Sequence, residues 1–319
     1  MLLDVLLLAV GLVILIFGAN WLVDGASSIA TRLGVSALTV GLTVVAFGTS
    51  TPELVVNLIA SFDGNSGLAI GNVVGSNSIN ILLILGLAAL IKPVNVKSQT
   101  VRVEIPFSLL AAVALFLLAN DKLLDGTVSS VISRSDGLVL LAFFAIFLYY
   151  TFLSSKSDQF PLTAEVKHRK YYLSTLMVLG GIGGLYLGGS FIVNSATSIA
   201  KAFGVSDALI GLTVVAIGTS LPELATSVMA AYKGNSDIAI GNVVGSNIFN
   251  IFMVLGVSGT IKPLPFYPQS NVDILVVCLA SILLFVFAFA GPGRKIDRKE
   301  GVTMLIIYFA YLSYLIANA

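Results

Sequence analysis

Residues 48–53 read Gly-Thr-Ser-Thr-Pro-Glu, and residues 218–223 read Gly-Thr-Ser-Leu-Pro-Glu, 170 positions later. Each copy ends in an acid, Glu53 or Glu223, which lies inside a long apolar stretch. Each acid follows a proline, the residue that most strongly interrupts a helix. The sequence therefore contains a duplicated element that combines a helix break with a carboxylate.

The duplication extends far beyond these six residues. The stretch Gly-Asn-Val-Val-Gly-Ser-Asn at 71–77 recurs at 241–247 without any change in the offset. Between 41–93 and 211–263, 32 of 53 aligned positions are identical. The polar positions are among the most strongly retained, which indicates a shared function rather than shared packing alone.

The composition predicts an integral membrane protein. Apolar residues make up 57% of the 319 residues and charged residues 10%, against roughly 45–50% and 25% in soluble domains. Mean hydropathy is +1.01. A net charge of +1 argues against a nucleic-acid partner, which requires clustered cations. The single cysteine, Cys278, and single histidine, His168, argue against a disulfide framework and histidine-based catalysis.

Runs of about 20 apolar residues are long enough to cross a bilayer as helices. We expect ten spans, near 3–22, 37–61, 67–91, 104–120, 137–154, 171–193, 207–232, 237–261, 272–290 and 302–317. The predicted fold class is therefore an all-α membrane protein.

The Lys and Arg residues of the connections predict the orientation in a cell membrane. Thirteen lie on one side of the predicted spans and four on the other. Because positive connections stay in the cytoplasm, we expect both termini outside and the loop 155–170 inside.

Five spans per copy is an odd number, so the second copy enters the membrane with opposite polarity. We therefore predict two inverted-topology five-helix repeats, 1–154 and 171–319, joined by a short cytoplasmic linker, 155–170. Transporters built this way bind their substrate at the midplane, where helices are broken.

The predicted second span holds the first candidate site. Gly48 and Pro52 should break the helix and expose carbonyl groups such as that of Ala46. Irregular backbone at this depth is tolerated where it lines a cavity or is buried in protein. Carbonyl, hydroxyl and carboxylate oxygens together suit a hard cation such as Ca²⁺ or Na⁺.

A structural alternative exists for the same residues. Ser50 and Glu53 fit the capping-box pattern, in which the acid reaches back to the cap. That pattern explains why the helix restarts, but not why Glu stands there rather than Gln. No basic residue lies within a predicted span to pair with a costly buried acid. A transported cation supplies the missing charge.

The third span offers a facing polar stripe. Asn72, Ser76 and Asn80 are spaced four residues apart, on one helical face, and the stripe recurs 170 residues later. These amides could also simply cross-link helices. We expect Ser76 and Asn80 to lie deeper than Asn72. Asn77 and its copy Asn247 fall off the stripe and are not predicted as ligands.

Three other acids are given no role in ion binding. Asp24 is replaced by Asn194 in the second copy and is expected to be solvated. Glu104 and Asp273 stand at span entrances, where long or polar side chains reach toward the surface. We expect surface positions for both.

The paired motifs, in this order and in both halves, resemble the sodium/calcium exchanger family of cation/calcium antiporters, and in particular its compact prokaryotic members. In that family the two segments, here 41–93 and 211–263, are called alpha repeats. By resemblance, twelve residues supply ion ligands: Glu53, Glu223, Thr49, Ser50, Thr219, Ser220, Ser76, Ser246, Asn80, Asn250, Ala46 and Ala216. Ala46 and Ala216 would use their carbonyls.

The resemblance also implies a transport mode. Some relatives carry Asp at the position of Asn250, whereas this chain carries the neutral Asn. The predicted site therefore contains only two acids, which argues against obligatory K⁺ co-transport. By resemblance, three Na⁺ exchange for one Ca²⁺, with net movement of charge. Our hypothesis for the mechanism is alternating access. The first and sixth spans, rich in glycine, would slide over the core. The linker 155–170 is too short for a calcium-sensing domain.

Other functions remain open at this point. A proton/calcium antiporter would load H⁺ on the same acids, and a cation channel also needs oxygen-lined pores. An intramembrane hydrolase fits poorly because Ser50 beside Glu53 makes a weak nucleophile–base pair. We therefore expect no enzyme activity and no cofactor. The expected partners are Na⁺ and Ca²⁺ as substrates and the lipid bilayer, with no nucleic acid and no obligatory protein partner.

Overall fold

The fold is known from a computed structural model that describes residues 2–126, 128–155, 170–204, 216–290 and 293–317. Almost all of the described chain is helical. Eight of the described helices are long and apolar enough to cross a membrane, and one bent pair brings the number to nine. The prediction of a multi-span helical membrane protein is confirmed.

Thirteen helices, numbered in chain order, make up the described structure. They are α1 (Leu2–Leu33), α2 (Ala37–Thr49), α3 (Thr51–Asp63), α4 (Ser66–Ile91), α5 (Thr100–Leu118), α6 (Asp121–Leu124), α7 (Arg134–Ser154), α8 (Tyr171–Ala202), α9 (Ala216–Thr219), α10 (Leu221–Tyr232), α11 (Ser236–Ile261), α12 (Ser270–Ala290) and α13 (Arg298–Ala317).

The predicted spans correspond to these helices with two notable differences. Helices α1 and α8 run for 32 residues each, well beyond the predicted ends, because small and polar residues continue the helix past the apolar run. The predicted span 207–232 begins among residues 205–215, which lie outside the described residues. Ten spans and inverted topology therefore remain predictions.

Two short antiparallel ladders, which the sequence did not predict, join connections from the two halves. The strands are β1 (Val94–Asn95), β2 (Val131–Ile132), β3 (Leu264–Pro265) and β4 (Lys295–Ile296). Strand β1 pairs with β4, and β2 pairs with β3. Each ladder thus ties a loop of one repeat to a loop of the other.

Helices α1 and α8 pack against each other through glycines. Gly11, Gly18 and Gly25 recur every seven residues along one face of α1. A Cβ atom at Gly18 would lie 2.8 Å from the Leu185 amide nitrogen and 2.9 Å from the Gly181 carbonyl oxygen. Small residues that let backbones approach are a common basis of helix contacts in membranes. The two longest helices therefore form one closely packed pair.

Helices α4 and α11 form the core between the repeats. The apolar part of α11 is entirely buried inside the protein, and that of α4 is mostly buried. A Cβ atom at Gly245 of α11 would lie 2.8 Å from the Ala46 Cβ of α2. The second repeat's buried helix therefore packs directly on the broken helix of the first.

Lysines at equivalent positions reach across to the opposite repeat. Lys262 Nζ donates to the Phe62 carbonyl at the end of α3, at 3.2 Å. Lys92, its copy, lies beside Gly234 after α10, where an added Cβ would be 2.8 Å from Nζ. A cation at a helix C-terminus satisfies its last carbonyls and its dipole. The contacts are reciprocal, as a two-fold relation between the repeats requires.

Ion pairs occur at the edges of the described structure. Lys97 contacts Asp237 at 2.8 Å. Asp24 of α1 contacts Lys233 just after α10. The expectation that Asp24 is only solvated is therefore wrong, because its partner comes from the other repeat and is not evident from local sequence.

The glycine packing makes a stability prediction. Gly18→Ala should destabilise the protein by about 1–3 kcal/mol, because the new methyl group meets backbone atoms that cannot move independently. Thermal unfolding in detergent would measure this as a lower melting temperature. Gly183→Ala on α8 is the matched control, because nothing described lies within 4 Å of the added carbon. Equal melting temperatures for both variants would contradict the proposed packing.

Candidate cation-binding site

Equivalent helix breaks lie at Ser50, between α2 and α3, and at Ser220, between α9 and α10. The backbone angles of the two serines are nearly identical, φ −85° and ψ 5° against φ −87° and ψ 5°. Helices α2 and α3 are inclined by 45°. Pro52 and Pro222 stand in the first turn after each break, where proline is well tolerated. The predicted interruption is confirmed in both repeats.

The two acids lie in the first turn after these breaks. Glu53 and Glu223 are both fully buried, with 0% exposure. Ser50, three residues before Glu53, contacts the Glu223 carboxylate, so the two acids belong to one site. Among the described residues, no basic side chain forms an ion pair with either acid; the ion pairs lie elsewhere. Such a pair of charges requires compensation from outside the described protein groups.

Serine hydroxyls from both repeats contact the Glu223 carboxylate. Ser50 Oγ donates to Glu223 Oε1 at 2.9 Å. Ser246 Oγ, on α11, donates to the same oxygen at 3.4 Å. Ser50 belongs to the first repeat and Glu223 to the second, so the site is assembled across the interface between them.

The equivalent surroundings of Glu53 are less complete. The Ser220 and Ser76 hydroxyls, counterparts of Ser50 and Ser246, form no hydrogen bond in the described structure. Both Glu53 carboxylate oxygens also lack a hydrogen-bond donor there. The repeats are thus equivalent in composition at the site, whereas their hydrogen bonds differ.

Buried side-chain oxygens without a described hydrogen-bond partner concentrate at this site. Half of these atoms in the described chain belong to residues that the sequence singled out as ligands. They are both carboxylate oxygens of Glu53, Oε2 of Glu223, Oγ of Ser76 and Ser220, and Oδ1 of Asn80 and Asn250. Carboxylate, hydroxyl and amide oxygens are the ligands that hard cations prefer. The residues present therefore fit Ca²⁺ or Na⁺ as a bound substrate.

Thr49 and Thr219 contact the opposite repeat reciprocally. Thr49 Oγ1 donates to Asn242 Oδ1 at 3.0 Å, and Thr219 Oγ1 donates to Asn72 Oδ1 at 3.4 Å. Asn72 also donates to Asn57 Oδ1 at 2.7 Å. Asn72 and Asn242 therefore link the broken helices to their neighbours through side-chain hydrogen bonds.

The Ala46 carbonyl is not as exposed as the sequence suggested. It accepts the Ser50 amide at 2.9 Å and the Thr49 hydroxyl at 3.3 Å, because the helix continues to the break itself. In the second repeat, Ala216 begins α9, and the Ser220 amide donates to Ile217 at 3.1 Å. The alanines lie next to the breaks as predicted, and their role as ligands remains a prediction.

Asn77 and Asn247 are not among the predicted ligands, but the structure places them in contact with the opposite repeat. Both are buried, and they hydrogen-bond each other's repeat at the centre of the protein. Both lie in regular α-helix, just before π-helical turns at Ile79–Ile84 and Phe249–Leu255. Asn77 follows Ser76 directly and so lies on a different face from the stripe, and that face contacts the opposite repeat. Their identity in both copies was the signal that could have revealed them.

The expectation for Glu104 was also wrong. Glu104 is buried, and it accepts a hydrogen bond from Tyr150 at 2.8 Å. Asp273 accepts one from Tyr311 at 2.6 Å and is partly exposed. Each tyrosine comes from a helix that follows later in the chain, so neither contact was apparent from local sequence.

A cavity of about 370 Å³ reaches the helix breaks from one side. It lies between α3, α8 and the α9–α10 break. Its lining includes Pro52, Ser190, Val193, Asn194, Thr219 and Pro222. The cavity therefore connects the second half of α8 with both prolines of the site.

Comparison with known proteins points to one family. A family model described as "Sodium/calcium exchanger protein" matches residues 3–153 and 173–317. The chain is 40% identical to the inner membrane protein YrbG of Escherichia coli (strain K12), over 99% of this chain and 98% of that protein. It is 34% identical to the sodium/calcium exchanger MaX1 of Methanosarcina acetivorans, over 96% and 97%.

A solved structure of the sodium-calcium exchanger NCX_Mj, soaked with Na⁺ and Ca²⁺, has a similar fold. The match has a TM-score of 0.84 and 34% sequence identity, and it covers 98% of both chains.

The buried acids make a binding prediction. Saturating Ca²⁺, at about a hundred times its dissociation constant, should stabilise the wild-type protein by about 2.7 kcal/mol. Glu53→Gln or Glu223→Gln should lose most of this gain, because each removes a charge with little change in shape. Thermal unfolding with and without CaCl₂ measures the effect. Glu300→Gln, which neutralises an acid outside the site, is the control. Full Ca²⁺ stabilisation in either site variant would contradict the assignment.

Proposed function

The chain belongs to the sodium/calcium exchanger protein family, and from that premise we propose that it exchanges Na⁺ for Ca²⁺ across a cell membrane. The ions are substrates rather than cofactors, and the protein acts as a transporter rather than an enzyme. The twelve residues predicted from the sequence supply the ligands, with Glu53 and Glu223 at the centre.

The observation that carries the proposal is the pair of fully buried acids. They lie among unpartnered oxygens and have no basic partner among the described residues. Burying charge without compensation is strongly unfavourable. A bound cation provides that compensation, so the site is stable when loaded with either ion. An empty site would carry two uncompensated charges, which opposes passage between the two membrane sides and couples the two fluxes.

The charge of the site sets the proposed stoichiometry. Two carboxylates balance one Ca²⁺ or two Na⁺, and a third Na⁺ would use neutral oxygens such as those of Asn80 and Asn250. Exchange of three Na⁺ for one Ca²⁺ moves one net charge. Because both asparagines are neutral, the site has no third acid to hold K⁺. We therefore propose electrogenic, K⁺-independent exchange.

Alternating access is the proposed mechanism, with α1 and α8 as the moving pair. Their close glycine packing lets them move as one unit over the core. The cavity opens along the second half of α8. With both termini outside and the loop 155–170 in the cytoplasm, as proposed from the charge distribution, this half of α8 faces outward. The structure then corresponds to an outward-open state.

A transport experiment separates sodium coupling from proton coupling. Purified protein in liposomes loaded with Na⁺ should take up Ca²⁺ when the outside is free of Na⁺. Uptake should create a membrane potential and should be unchanged by removal of K⁺. A pH gradient alone should drive little uptake.

Matched variants make the test specific. Glu53→Gln and Glu223→Gln should reduce uptake to the level of protein-free liposomes, and Glu300→Gln should transport normally. Uptake driven only by the pH gradient would identify a proton/calcium antiporter and refute sodium coupling. Ca²⁺ conductance without countertransport would identify a channel.

A further inference from the structure

Asn77 and Asn247 link the two repeats through a defined set of hydrogen bonds. Asn77 Nδ2 donates to the backbone carbonyl of Asn247 at 3.2 Å. Asn250 Nδ2 donates to Asn77 Oδ1 at 3.1 Å, and Asn80 Nδ2 donates to Asn247 Oδ1 at 3.0 Å. All four side chains are buried.

The order of donors and acceptors fixes the orientation of the ligand amides. A backbone carbonyl can only accept, so it selects the nitrogen of the Asn77 amide. The Asn77 oxygen is left to accept, and Asn250 must turn its nitrogen toward it. The oxygen of Asn250 then faces the other way, where it has no described hydrogen-bond partner. The oxygen of Asn80 is in the same situation.

We propose that Asn77 and Asn247 are positioning residues, each of which orients the ligand amide of the opposite repeat. This inference rests on the proposed function. A hard cation is bound by the amide oxygen and repelled by the amide nitrogen. Without Asn77, the Asn250 amide can rotate and present its nitrogen to the ion. In the other repeat, Asn247 Oδ1 accepts from Asn80 Nδ2, so loss of Asn247 likewise frees the Asn80 amide to rotate.

A double-mutant cycle tests this role. Asn77→Leu should weaken Ca²⁺ binding by about tenfold, within the range of coupling between contacting residues. In a protein that already carries Asn250→Ala, Asn77→Leu should weaken binding by less than about twofold, because the group it orients is gone. Isothermal titration calorimetry with CaCl₂ measures both. Ser78→Ala, a buried neighbour outside the network, is the packing control.

Additive losses in the double variant, or unchanged binding in Asn77→Leu, would overturn the proposal. If Asn77→Leu does not fold, Asn247→Leu with Asn80→Ala runs the same cycle from the other repeat. The cycle measures binding only, so it is separate from the transport test. Wild-type protein that binds Ca²⁺ without Na⁺-driven uptake would refute the proposed function and leave this inference standing.

A second inference comes from an ion pair that only one repeat can form. Asp24 of α1 contacts Lys233, and both are partly buried, with 32% and 22% of the side chain exposed. Lys233 Nζ also donates to the Asn20 carbonyl at 3.2 Å. Beside it, Asn235 donates to Ser27 Oγ at 3.2 Å. These contacts tie α1 to the turn between α10 and α11.

The internal duplication identifies the residues that correspond to Asp24 and Lys233 in the opposite repeat. At an offset of 170 residues, Asp24 corresponds to Asn194, and Lys233 corresponds to Asp63. An amide facing a carboxylate cannot form an ion pair. In the structure Asn194 lines the cavity. The ion pair between Asp24 of α1 and Lys233 therefore has no equivalent at the corresponding positions, Asn194 of α8 and Asp63.

We infer that Asp24 and Lys233 form a one-sided latch that favours the state with the cavity open beside Asn194. This inference also rests on the proposed function, because it assumes exchange between two states. An ion pair that is partly exposed contributes little, so we expect a two- to fivefold shift in the ratio of the states. High salt should reduce the shift by screening.

Cysteine labelling tests the latch in the full-length protein. Ser190→Cys, in the cavity lining, is introduced into a Cys278→Ser background and labelled with a membrane-impermeant maleimide. Asp24→Asn should slow labelling by about two- to fivefold, because the cavity is open less often. Lys233→Gln should give the same result, and Asp125→Asn, at an exposed site outside the latch, should label like the parent.

A mirrored variant makes the test stricter. Asn194→Asp together with Asp63→Lys builds the missing pair on the cavity side, and it should also slow labelling. Unchanged or faster labelling in both Asp24→Asn and Lys233→Gln would overturn the inference. Labelling is measured without transported ions, so a labelling result that contradicts the latch would not affect the outcome of the exchange experiment. Failure of Na⁺-driven uptake with the expected labelling would refute the function alone.

Discussion

Two fully buried carboxylates in one site, without a basic partner among the described residues, are the constraint on which the rest of the molecule depends. Neither Glu53 nor Glu223 can be stable as a bare anion inside the protein. The helix breaks, the hydroxyls and the amides all place oxygens around this pair, and none of the described lysines or arginines compensates its charge. In the proposed function, a transported cation compensates this charge.

The local backbone explains how a helical membrane protein can expose so many oxygens at one depth. Ser50 and Ser220 leave helical geometry by the same small amount, which turns the following helix without unfolding it. Two of the neighbouring helices contain π-helical turns, which are frequent at functional sites. The site thus depends on modest, repeated departures from regular helix, and Gly48 and Gly218 let α8 approach them closely.

The sequence was sufficient for the parts of the site that depend on local chemistry. Proline beside a buried acid, present twice, predicted the breaks and both carboxylates. It was insufficient where the partner is distant in sequence. Asn77 lies off the polar stripe of its own helix, and its importance comes from contacts with Asn247 and Asn250 in the other half. Asp24 and Glu104 were misjudged for the same reason, since their contacts depend on packing between helices.

The reciprocal hydrogen bonds between the halves have a consequence for how such a chain can change through time. Because each half forms part of the other's environment, a substitution in one alters the surroundings of the other, and the two cannot diverge independently where they meet. Positions away from this contact have no such restriction, and Asp24 and its counterpart Asn194 differ between the two copies.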